Sequence, residues 1–300
     1  MTLKAGRPLI FGEVLFDVFP DGTEVLGGAP FNVARHLQGF GERPLMITGV
    51  GDDARGQAIL ECMTSWQMDI RGVQVLKPWP TGTVAVHFKD GEPHYDIEAD
   101  RAYDHVESGS AREAVGGQSI SVLYHGTLAT RHEQAAQTLA DLVSDTGAPR
   151  FVDVNLRDPW WAMHEVWTGI EAANWAKMNE AELRLLHGGE GPLREAAVDV
   201  LERAMLDGLV VTRGEHGALL VRGEAEVLEE PAAAVTDLAD TVGAGDAFSA
   251  VLLLGFLRGW PPADTLARAS QFAAEICGHR GALPRDAALY EPFAHEWRIA

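Results

Sequence analysis

The chain has 300 residues, of which 46% are hydrophobic and 23% are charged, a composition typical of an ordered globular protein. Its formal net charge of -20 at pH 7 argues against non-specific binding to nucleic acid or to an anionic membrane surface, because both favour basic proteins. An anionic ligand would therefore need a locally positive site, such as a helix N-terminus, a few arginines or a metal ion.

Strand-like apolar runs alternate with helix-length periodic segments along most of the chain. The alternating segments are, in chain order, PLIFGEVLFDVF, NVARHLQGFG, PLMITGVG, GQAILECMTSW, SISVLYHG, HEQAAQTLADLVSDTG, PRFVDVN, WAMHEVWTGIEAA, NWAKMN, EAELRLLHG, LREAAVDVLERAM and GLVVTRG. This rhythm of strand, helix and strand predicts a doubly wound α/β fold, in which helices cover both faces of a mostly parallel sheet.

One segment breaks this rhythm. Residues 81–97, TGTVAVHFKDGEPHYDI, alternate apolar and polar side chains on both sides of a KDGEP turn, which predicts a β-hairpin. Together with the strand around DVFPDGTEVL, this hairpin is expected to stand off the main sheet, either as a decorated edge or as a lid over a site. We expect a single domain over residues 1–300, with a small β lid formed by about 15–26 and 81–98.

Targeting signals and disulfide patterns are not evident in the sequence. Glu13 and Asp17 interrupt the apolar N-terminal run before a signal-peptide core could form, and the run at 247–257 is too short to span a membrane. Cys62 and Cys277 lack the spacing of a disulfide framework or a thiolate metal site. We therefore expect a cytoplasmic protein.

The segment TDLADTVGAGDAFSA, residues 236–250, carries the clearest chemical signal. Gly243, Ala244 and Gly245 would bring backbone NH groups to the first turn of an apolar helix, where phosphate oxygens bind well. A carboxylate in that turn, Asp246, could act as a base on the group that attacks the bound phosphorus. The alternative is an ordinary aspartate in the first turn of a helix.

Motifs of several other enzyme classes are missing. No Gly-Lys-Ser/Thr P-loop, no complete dinucleotide-binding glycine pattern, no H-E-x-x-H and no G-x-S-x-G occurs in the chain. The eleven histidines show no metal-ligand spacing, so each is expected to lie on the surface or to be hydrogen-bonded in the core.

Two quoted segments are similar to the signatures of a known family. DTVGAGDAF resembles the C-terminal signature of the ribokinase-like (PfkB) carbohydrate kinases, and GGAPFNVARHLQGFG resembles their N-terminal signature. The resemblance covers essentially the entire chain and implies a ribokinase-like fold. The Ala-Pro in the N-terminal segment is most like a fructokinase, and the absence of lysine there favours a neutral sugar.

The resemblance also implies roles for individual residues. Asp246 would deprotonate the attacking primary hydroxyl, and Gly243, Ala244 and Gly245 would form an anion hole for the transferring phosphoryl group. The residues implied to hold the sugar hydroxyls are Asp17, Gly28 and Asn32.

Further segments resemble the nucleotide and metal sites of the family. MNEAEL matches an N-x-x-E pattern, so Asn179 and Glu182 would hold Mg²⁺ through water, although Asn179 could equally be a helix N-cap. The carbonyl groups of Asp240 and Val242 could bind a monovalent cation such as K⁺. The residues implied to lie near the nucleotide are Thr212, Gly214, Gly217 and Gly281.

The expected function is ATP-dependent transfer of the γ-phosphoryl group to a primary hydroxyl of a neutral ketose, converting fructose to fructose 6-phosphate. Arg157 leaves an alternative open, because it could contact phosphate, pair with the carboxylate of 2-keto-3-deoxygluconate, or form a structural ion pair. A second alternative is a non-catalytic sugar-binding regulator of the same fold. An apolar face on the lid would favour a homodimer through the lid.

Overall fold

A nine-stranded sheet forms the centre of this computed structural model, which describes residues 5–89, 92–223, 226–235 and 237–299. The strands of the structure are β1 (Arg7–Phe11), β2 (Leu15–Val18), β3 (Glu24–Gly27), β4 (Leu45–Val50), β5 (Val73–Val75), β6 (Gly82–Lys89), β7 (Glu92–Ile97), β8 (Ile120–Gly126), β9 (Arg150–Asp153), β10 (Trp175–Asn179), β11 (Gly208–Thr212), β12 (Ala218–Val221) and β13 (Val227–Glu230). The helices are α1 (Ala29–Gly39), α2 (Ala54–Ser65), α3 (Ser108–Val115), α4 (Glu133–Thr146), α5 (Met163–Glu171), α6 (Glu180–His187), α7 (Leu193–Arg203), α8 (Ala244–Arg258), α9 (Pro262–Cys277) and α10 (Glu291–Glu296).

The main sheet is parallel over most of its width. Its strand order is β13-β12-β11-β10-β9-β8-β1-β4-β5, and β12 and β13 are the antiparallel strands at one edge. Every residue of β4 and of β8 is buried, because helices pack on both faces of a sheet of this kind. The predicted doubly wound, mostly parallel ribokinase-like α/β fold is confirmed.

A second sheet has four strands in the order β3-β2-β6-β7. β6 and β7 pair in antiparallel fashion, as the alternation of residues 81–97 predicted, while positions 90 and 91 of the expected turn lie outside the described residues. β2 pairs with β6 in parallel and with β3 in antiparallel fashion, so two segments far apart in the sequence build this sheet.

The run PLIFGEVLFDVF is not a single strand, and its second half begins at Leu15, where the segment 15–26 expected in the small β sheet begins. The run divides into β1 of the main sheet and β2 of the second sheet, and the chain turns between them at Gly12, whose φ of 146° favours glycine. Both strands are apolar because each packs against a core, so composition alone could not separate them.

The helix α8 lies in the hydrophobic core. All its residues from 247 to 255 are buried, and it packs between α1 and α9 beneath the sheet. A helix that is apolar on all sides is normally enclosed in this way. Within the described part of the chain, no helix has the length and apolar character needed to cross a lipid bilayer.

Candidate active site

A cavity of about 430 Å³ lies between the two sheets. The second sheet contributes side chains such as Asp17 and Tyr95, and the carboxyl ends of β9, β10 and β11 contribute others. The N-terminal ends of α1 and α8 complete the lining. Ligands of open α/β sheets bind at this edge, where the strands end and the helices begin.

Asp246 and Asn32 join the beginnings of α8 and α1. The Asn32 side-chain amide donates a hydrogen bond of 2.7 Å to Oδ2 of Asp246, although the two residues are 214 positions apart. Asn32 is buried, and its side-chain Oδ1 has no hydrogen-bond partner within the described residues. Asp246 is half-buried in the first turn of α8 and lines the cavity. Sequence motifs predicted both residues, and the fold brings them into contact.

The carboxyl groups around the cavity are harder to ionise than usual. Burial raises the pKa of Asp246 to about 6, although the hydrogen bond from Asn32 and the charge of Lys177 oppose the rise. Burial also raises the pKa of Asp17 to about 6 and that of Glu13 to about 7. An aspartate with such a pKa is ionised at neutral pH and is a stronger base than a free carboxylate.

The first turn of α8 leaves backbone NH groups free. Gly243 is the N-cap with a φ of 82°, and a Cβ atom at this position would collide with Ala282. Among the described residues, the amides of Gly243, Gly245 and Asp246 have no protein acceptor, whereas the amide of Ala244 donates a bond of 3.3 Å to the carbonyl of Thr241. Three free amides, those of residues 243, 245 and 246, are therefore available for an anion.

A buried lysine lies beside this helix start. Lys177 Nζ is 3.1 Å from both carboxylate oxygens of Asp153 and 3.4 Å from the carbonyl oxygen of Gly245. Asp153 also accepts hydrogen bonds from Ser249 and Tyr124. No sequence motif marked Lys177 or Asp153. A local signal existed only for Lys177, which is the one charged residue of β10, WAKMN. Lys177 supplies local positive charge in a protein that is strongly acidic overall.

Asn179 and Glu182 form a capping box at the start of α6. Asn179 Oδ1 accepts from the amide of Glu182 at 2.9 Å, and Glu182 Oε2 accepts from the amide of Asn179 at 2.8 Å. Glu182 Oε1 accepts from the amide of Leu156 at 2.8 Å. The N-cap interpretation of this motif is thus confirmed. Both residues also line the cavity, where their oxygens are of the type that hard cations prefer.

The other predicted site residues divide into two groups. Gly28, Arg157, Thr212 and Val242 line the cavity, and no described acidic side chain forms an ion pair with Arg157. The predicted residues that lie outside its lining are Ala244, Gly214, Gly217, Asp240 and Gly281.

The residues outside the cavity have their own local roles. Gly214 and Gly217 flank the turn between β11 and β12. Asp240 Oδ2 accepts from the amide of Gly281 at 3.1 Å, and its Oδ1 accepts from the amide of Val242 at 3.0 Å. A second cavity, of about 390 Å³, lies near this loop and is lined by residues that include 233–235, 237 and 278.

Two further differences from the sequence-based expectations concern residues that no motif marked. Glu13 is buried, lines the cavity and has a side-chain oxygen without a hydrogen-bond partner among the described residues. The expectation that the histidines form no metal-ligand cluster was wrong, because potential ligand atoms of Asp100, His105 and His132 all lie within 4.8 Å of one another. Tertiary structure, not spacing, brings these three side chains together.

Comparisons with known proteins agree with the geometry. The model of the pfkB family carbohydrate kinases matches residues 14–287. The fructokinase of Klebsiella pneumoniae is 27% identical over 286 residues, which cover 91% of this chain and 92% of that protein.

Solved structures share the fold. A fructokinase with bound ATP from Xylella fastidiosa has a TM-score of 0.85 at 20% identity, covering 97% of this chain and 99% of its own. A fructokinase from Vibrio cholerae O395 in a form with bound fructose, ADP and calcium ion has a TM-score of 0.78 at 25% identity, covering 95% and 98%. Since the family model matches nearly the whole sequence, the chain belongs to the pfkB family of carbohydrate kinases.

Proposed function

We propose that this carbohydrate kinase transfers the γ-phosphoryl group of ATP to a primary hydroxyl of a neutral ketose, with fructose as the substrate and fructose 6-phosphate as the product. The observation that carries the proposal is the first turn of α8, where Asp246 stands beside the free amides of residues 245 and 246. A base and an anion-binding site in one helical turn suit the transfer of a phosphoryl group to an alcohol. The fructokinase relatives support the choice of sugar.

In the proposed reaction, Asp246 accepts the proton of the substrate hydroxyl. The hydroxyl oxygen then forms a bond to the γ-phosphorus as the bond between that phosphorus and the leaving oxygen of ADP breaks. The hydrogen bond from Asn32 orients one oxygen of Asp246 and leaves the other for the substrate. The free amides and Lys177 would stabilise the charge on the transferring group, because fixed dipoles need no reorganisation during the step.

The acidic lining of the cavity favours an uncharged sugar. Glu13, Asp17 and Asp246 surround the space in which the substrate would lie, and their oxygens can accept hydrogen bonds from sugar hydroxyls. We propose that Asp17, Gly28 and Asn32 hold these hydroxyls. A substrate that carries its own carboxylate would be repelled by this set.

Arg157 supports a second candidate, a 2-keto-3-deoxygluconate kinase. Its guanidinium group lines the cavity and forms no ion pair with a described acidic side chain, so the structural ion pair considered from the sequence does not account for it. An arginine of this kind can pair with a substrate carboxylate or with phosphate.

ATP and Mg²⁺ are the proposed cofactors. Mg²⁺ would neutralise charge on the ATP phosphates, and it usually retains several waters, so the cavity-lining oxygens of Asn179 and Glu182 suit water-mediated binding. Thr212 lies opposite Asn179 on the neighbouring strand and would face the phosphates. Gly214, Gly217 and Gly281 would lie near the nucleotide, and the 390 Å³ cavity offers space for the base.

Other proposals concern cations, assembly and location. The carbonyl groups of Asp240 and Val242 would bind K⁺, and a Vibrio cholerae fructokinase variant has been crystallised with potassium ion. The second sheet would close over the sugar as a lid. Val25 and Tyr95 of this sheet are more than one-third exposed, which favours a homodimer through the lid.

The cellular location is also a proposal. The two free cysteines favour a reducing compartment, the cytoplasm.

Coupled assays of ATP consumption on fructose, mannose, ribose and 2-keto-3-deoxygluconate test the proposal. We expect the highest kcat/KM with fructose, and a loss of more than ~10²-fold in kcat for Asp246→Asn, because a general base and the positioning of the hydroxyl are both removed. Fructose binding measured by calorimetry should persist in this variant. Strong turnover of the keto acid without turnover of fructose would favour the second candidate, and sugar binding without any turnover would favour a non-catalytic regulator.

A further inference from the structure

Asp100, His105 and His132 form a cluster outside the active-site cavity. Asp100 lies between β7 and the short helical turn Ala102–His105, and His132 is the N-cap of α4. One potential ligand atom from each side chain lies within 4.8 Å of the other two. None of the three residues lines the 430 Å³ cavity, so the cluster is separate from the proposed kinase site.

His105 is the residue that points to a ligand. Its ring is 6% exposed and lies flat on Trp79, with the ring centroids 3.5 Å apart and the planes 8° from parallel. Nε2 is buried and has no hydrogen-bond partner in the described structure. The nearest anionic atom is Oδ1 of Asp100 at 3.8 Å, which is too long for a hydrogen bond. A buried polar atom without a partner is costly, and a bound cation would remove that cost.

The donor set matches a particular class of metal. Two imidazoles and one carboxylate are typical ligands of Zn²⁺ and of neighbouring first-row divalent metals, whereas Mg²⁺ and Ca²⁺ prefer oxygen ligands alone. Ligand atoms of a tetrahedral zinc site lie on the order of 3–4 Å apart, as follows from metal–ligand distances of about 2 Å. The 3.8 Å between His105 and Asp100 falls in this range. Three protein ligands leave a fourth position for water.

Arginines flank the cluster in the sequence, Arg101 beside Asp100 and Arg131 beside His132. Each is paired with a carboxylate, Arg101 with that of Glu98 and Arg131 with that of Asp104. Asp104 is the neighbouring acid, and its carboxylate is already paired with Arg131, at 2.7 Å from the guanidinium Nη2. His132 can keep its present contact, because its Nδ1 accepts a hydrogen bond of 3.3 Å from the amide of Gln134 and its Nε2 has no hydrogen-bond partner among the described residues. A metal could therefore bind through Nε2 while the N-cap bond of α4 is retained.

We propose that Asp100, His105 and His132 form a binding site for Zn²⁺ or a similar first-row divalent metal. The metal links the segment that leaves the second sheet at Asp100 to the N-terminal end of α4. The site is independent of the proposed phosphoryl transfer, and its test does not rely on activity.

Two substitutions remove ligands while preserving the local backbone. Asp100→Asn keeps the size of the side chain, and asparagine tolerates the left-handed conformation of this residue, whose φ is 51°. His132→Asn replaces the N-cap with one of the residue types preferred at that position. His164→Asn is the matched control, because His164 is an exposed histidine on α5 that is not part of the cluster.

The experiment is calorimetric titration of the full-length, EDTA-treated and dialysed protein with ZnCl₂. We expect one site per chain in the wild type, with Kd at or below the order of 10 µM, since affinities in this range correspond to a few good ligand bonds. Asp100→Asn and His132→Asn should each weaken binding by at least about tenfold, and His164→Asn should leave it unchanged. Equal affinity in all four proteins would overturn the proposal, as would the absence of saturable binding by the wild type.

A second measurement uses the stacked tryptophan and needs neither ligand variant. Binding of paramagnetic Co²⁺ beside His105 should quench the fluorescence of Trp79, and Trp79→Phe should lose most of this quenching while retaining an aromatic ring against His105. The same degree of Co²⁺ quenching in Trp79→Phe and in the wild type would place the bound metal elsewhere and contradict the assignment.

Discussion

Asp246 combines a partly buried environment with the position proposed for the general base, and the two properties are connected. Burial raises its pKa to about 6, so its carboxylate holds a proton more strongly than a solvent-exposed aspartate does. The pKa of Asp246 remains below neutral pH because Asn32 and Lys177 stabilise the ionised form of the carboxyl group. A base with this pKa is ready at pH 7 without a further proton transfer.

This shift predicts the pH dependence of the reaction. The carboxylate of Asp246 must be ionised to accept a proton, so kcat/KM should fall about tenfold for each pH unit below about 6 and be level between about pH 7 and pH 8. The measurement is the pH-rate profile with fructose and saturating ATP. Circular dichroism at each pH provides the control for unfolding. A profile that stays flat down to about pH 5 would contradict the assignment of Asp246 as the base.

Glu13 gives a prediction about stability. Burial raises its pKa from 4.5 to about 7 in the folded protein, so the folded state binds the proton more tightly than the unfolded state. Ionisation therefore destabilises the fold as the pH rises above about 4.5, and the full penalty is reached above pH 7. Glu13→Gln removes this penalty and should stabilise the protein at pH 8 by about 3–4 kcal/mol, given about 1.4 kcal/mol for each unit of pKa shift.

Urea unfolding of wild type and Glu13→Gln at pH 6 and pH 8 measures this effect. The difference in the free energy of unfolding between the two proteins should be larger at pH 8 than at pH 6. Glu24→Gln is a suitable control, because Glu24 pairs with Arg55 at the surface. An equal difference at both pH values would show that Glu13 is not the titrating group.

Among single residues, sequence patterns could predict those that belong to contiguous motifs. Asp246 and Asn32 lie in recognisable glycine-containing segments, and the fold joins them as expected of neighbours in one site. Glu13 and Lys177 could not be assigned in this way. Their importance depends on burial and on partners distant in the sequence, such as Asp153 for Lys177.

Two glycines at the start of α8 have different roles, because Gly243 is required by the fold and Gly245 is required only by the proposed anion site. Gly243 requires glycine, because its φ is 82° and a Cβ atom would meet Ala282. Gly245 lies within the helix, and the nearest atom to an added Cβ would be Nζ of Lys177 at 3.4 Å. A methyl group there is compatible with the fold, but it would enter the cavity lining beside Lys177, next to the proposed anion site.

Two alanine substitutions should therefore behave oppositely. Gly243→Ala should lower the free energy of unfolding by at least about 2 kcal/mol through strain and collision. Gly245→Ala should leave stability unchanged or raise it by up to about 1 kcal/mol, since alanine favours helices, yet should reduce kcat by about 10²-fold or more. Thermal unfolding and steady-state kinetics on both variants check this. Full activity in Gly245→Ala would contradict an anion site at these amides.

For single elements, sequence periodicity could predict most helices and strands, but it could not show at which residue the apolar run PLIFGEVLFDVF divides into two strands. β1 and β2 are both apolar, and Gly12 between them gives no period change. The capping box of α6 was readable as a helix start, and it is one. Whether Glu182 also serves a metal depends on its position at the cavity, which only the fold provides.

For the whole molecule, the fold class could be predicted from the repeated alternation of strand and helix segments. The strand order of the second sheet could not be predicted in this way. Each strand, helix and strand unit packs by a general rule, so several units in sequence predict a parallel sheet. The second sheet requires the parallel pairing of β2 with β6, which joins residues 15–18 to residues 82–85 across most of the first hundred residues. Long-range pairing of this kind leaves no local pattern, and so its strand order was not predictable.

The second sheet has a small core of its own, which bears on how the molecule could move. Its separate hydrophobic cluster consists of the buried side chains Leu15, Val84 and Tyr103 with Ile97 packed against them. The main sheet has much larger clusters on both faces. Regions with few buried apolar contacts open at lower free energy than the rest of a protein. Phe16, Val18 and Leu26 of the second sheet pack against the main cluster, so the lid movement that we propose for this sheet would have to change those contacts.

Substrate binding should stabilise the second sheet selectively. Asp17 and Tyr95 of this sheet line the cavity, so a bound sugar would connect it to the main domain and raise the free energy of local opening. With fructose and a non-hydrolysable ATP analogue, amide hydrogen exchange should slow at least about tenfold in β2, β3, β6 and β7, and should change little in β4 and β8. Asp17→Asn, which weakens a proposed sugar contact, should reduce this protection at the same ligand concentrations. Equal protection of both sheets would indicate general ligand stabilisation, and it would contradict a lid that closes over the sugar.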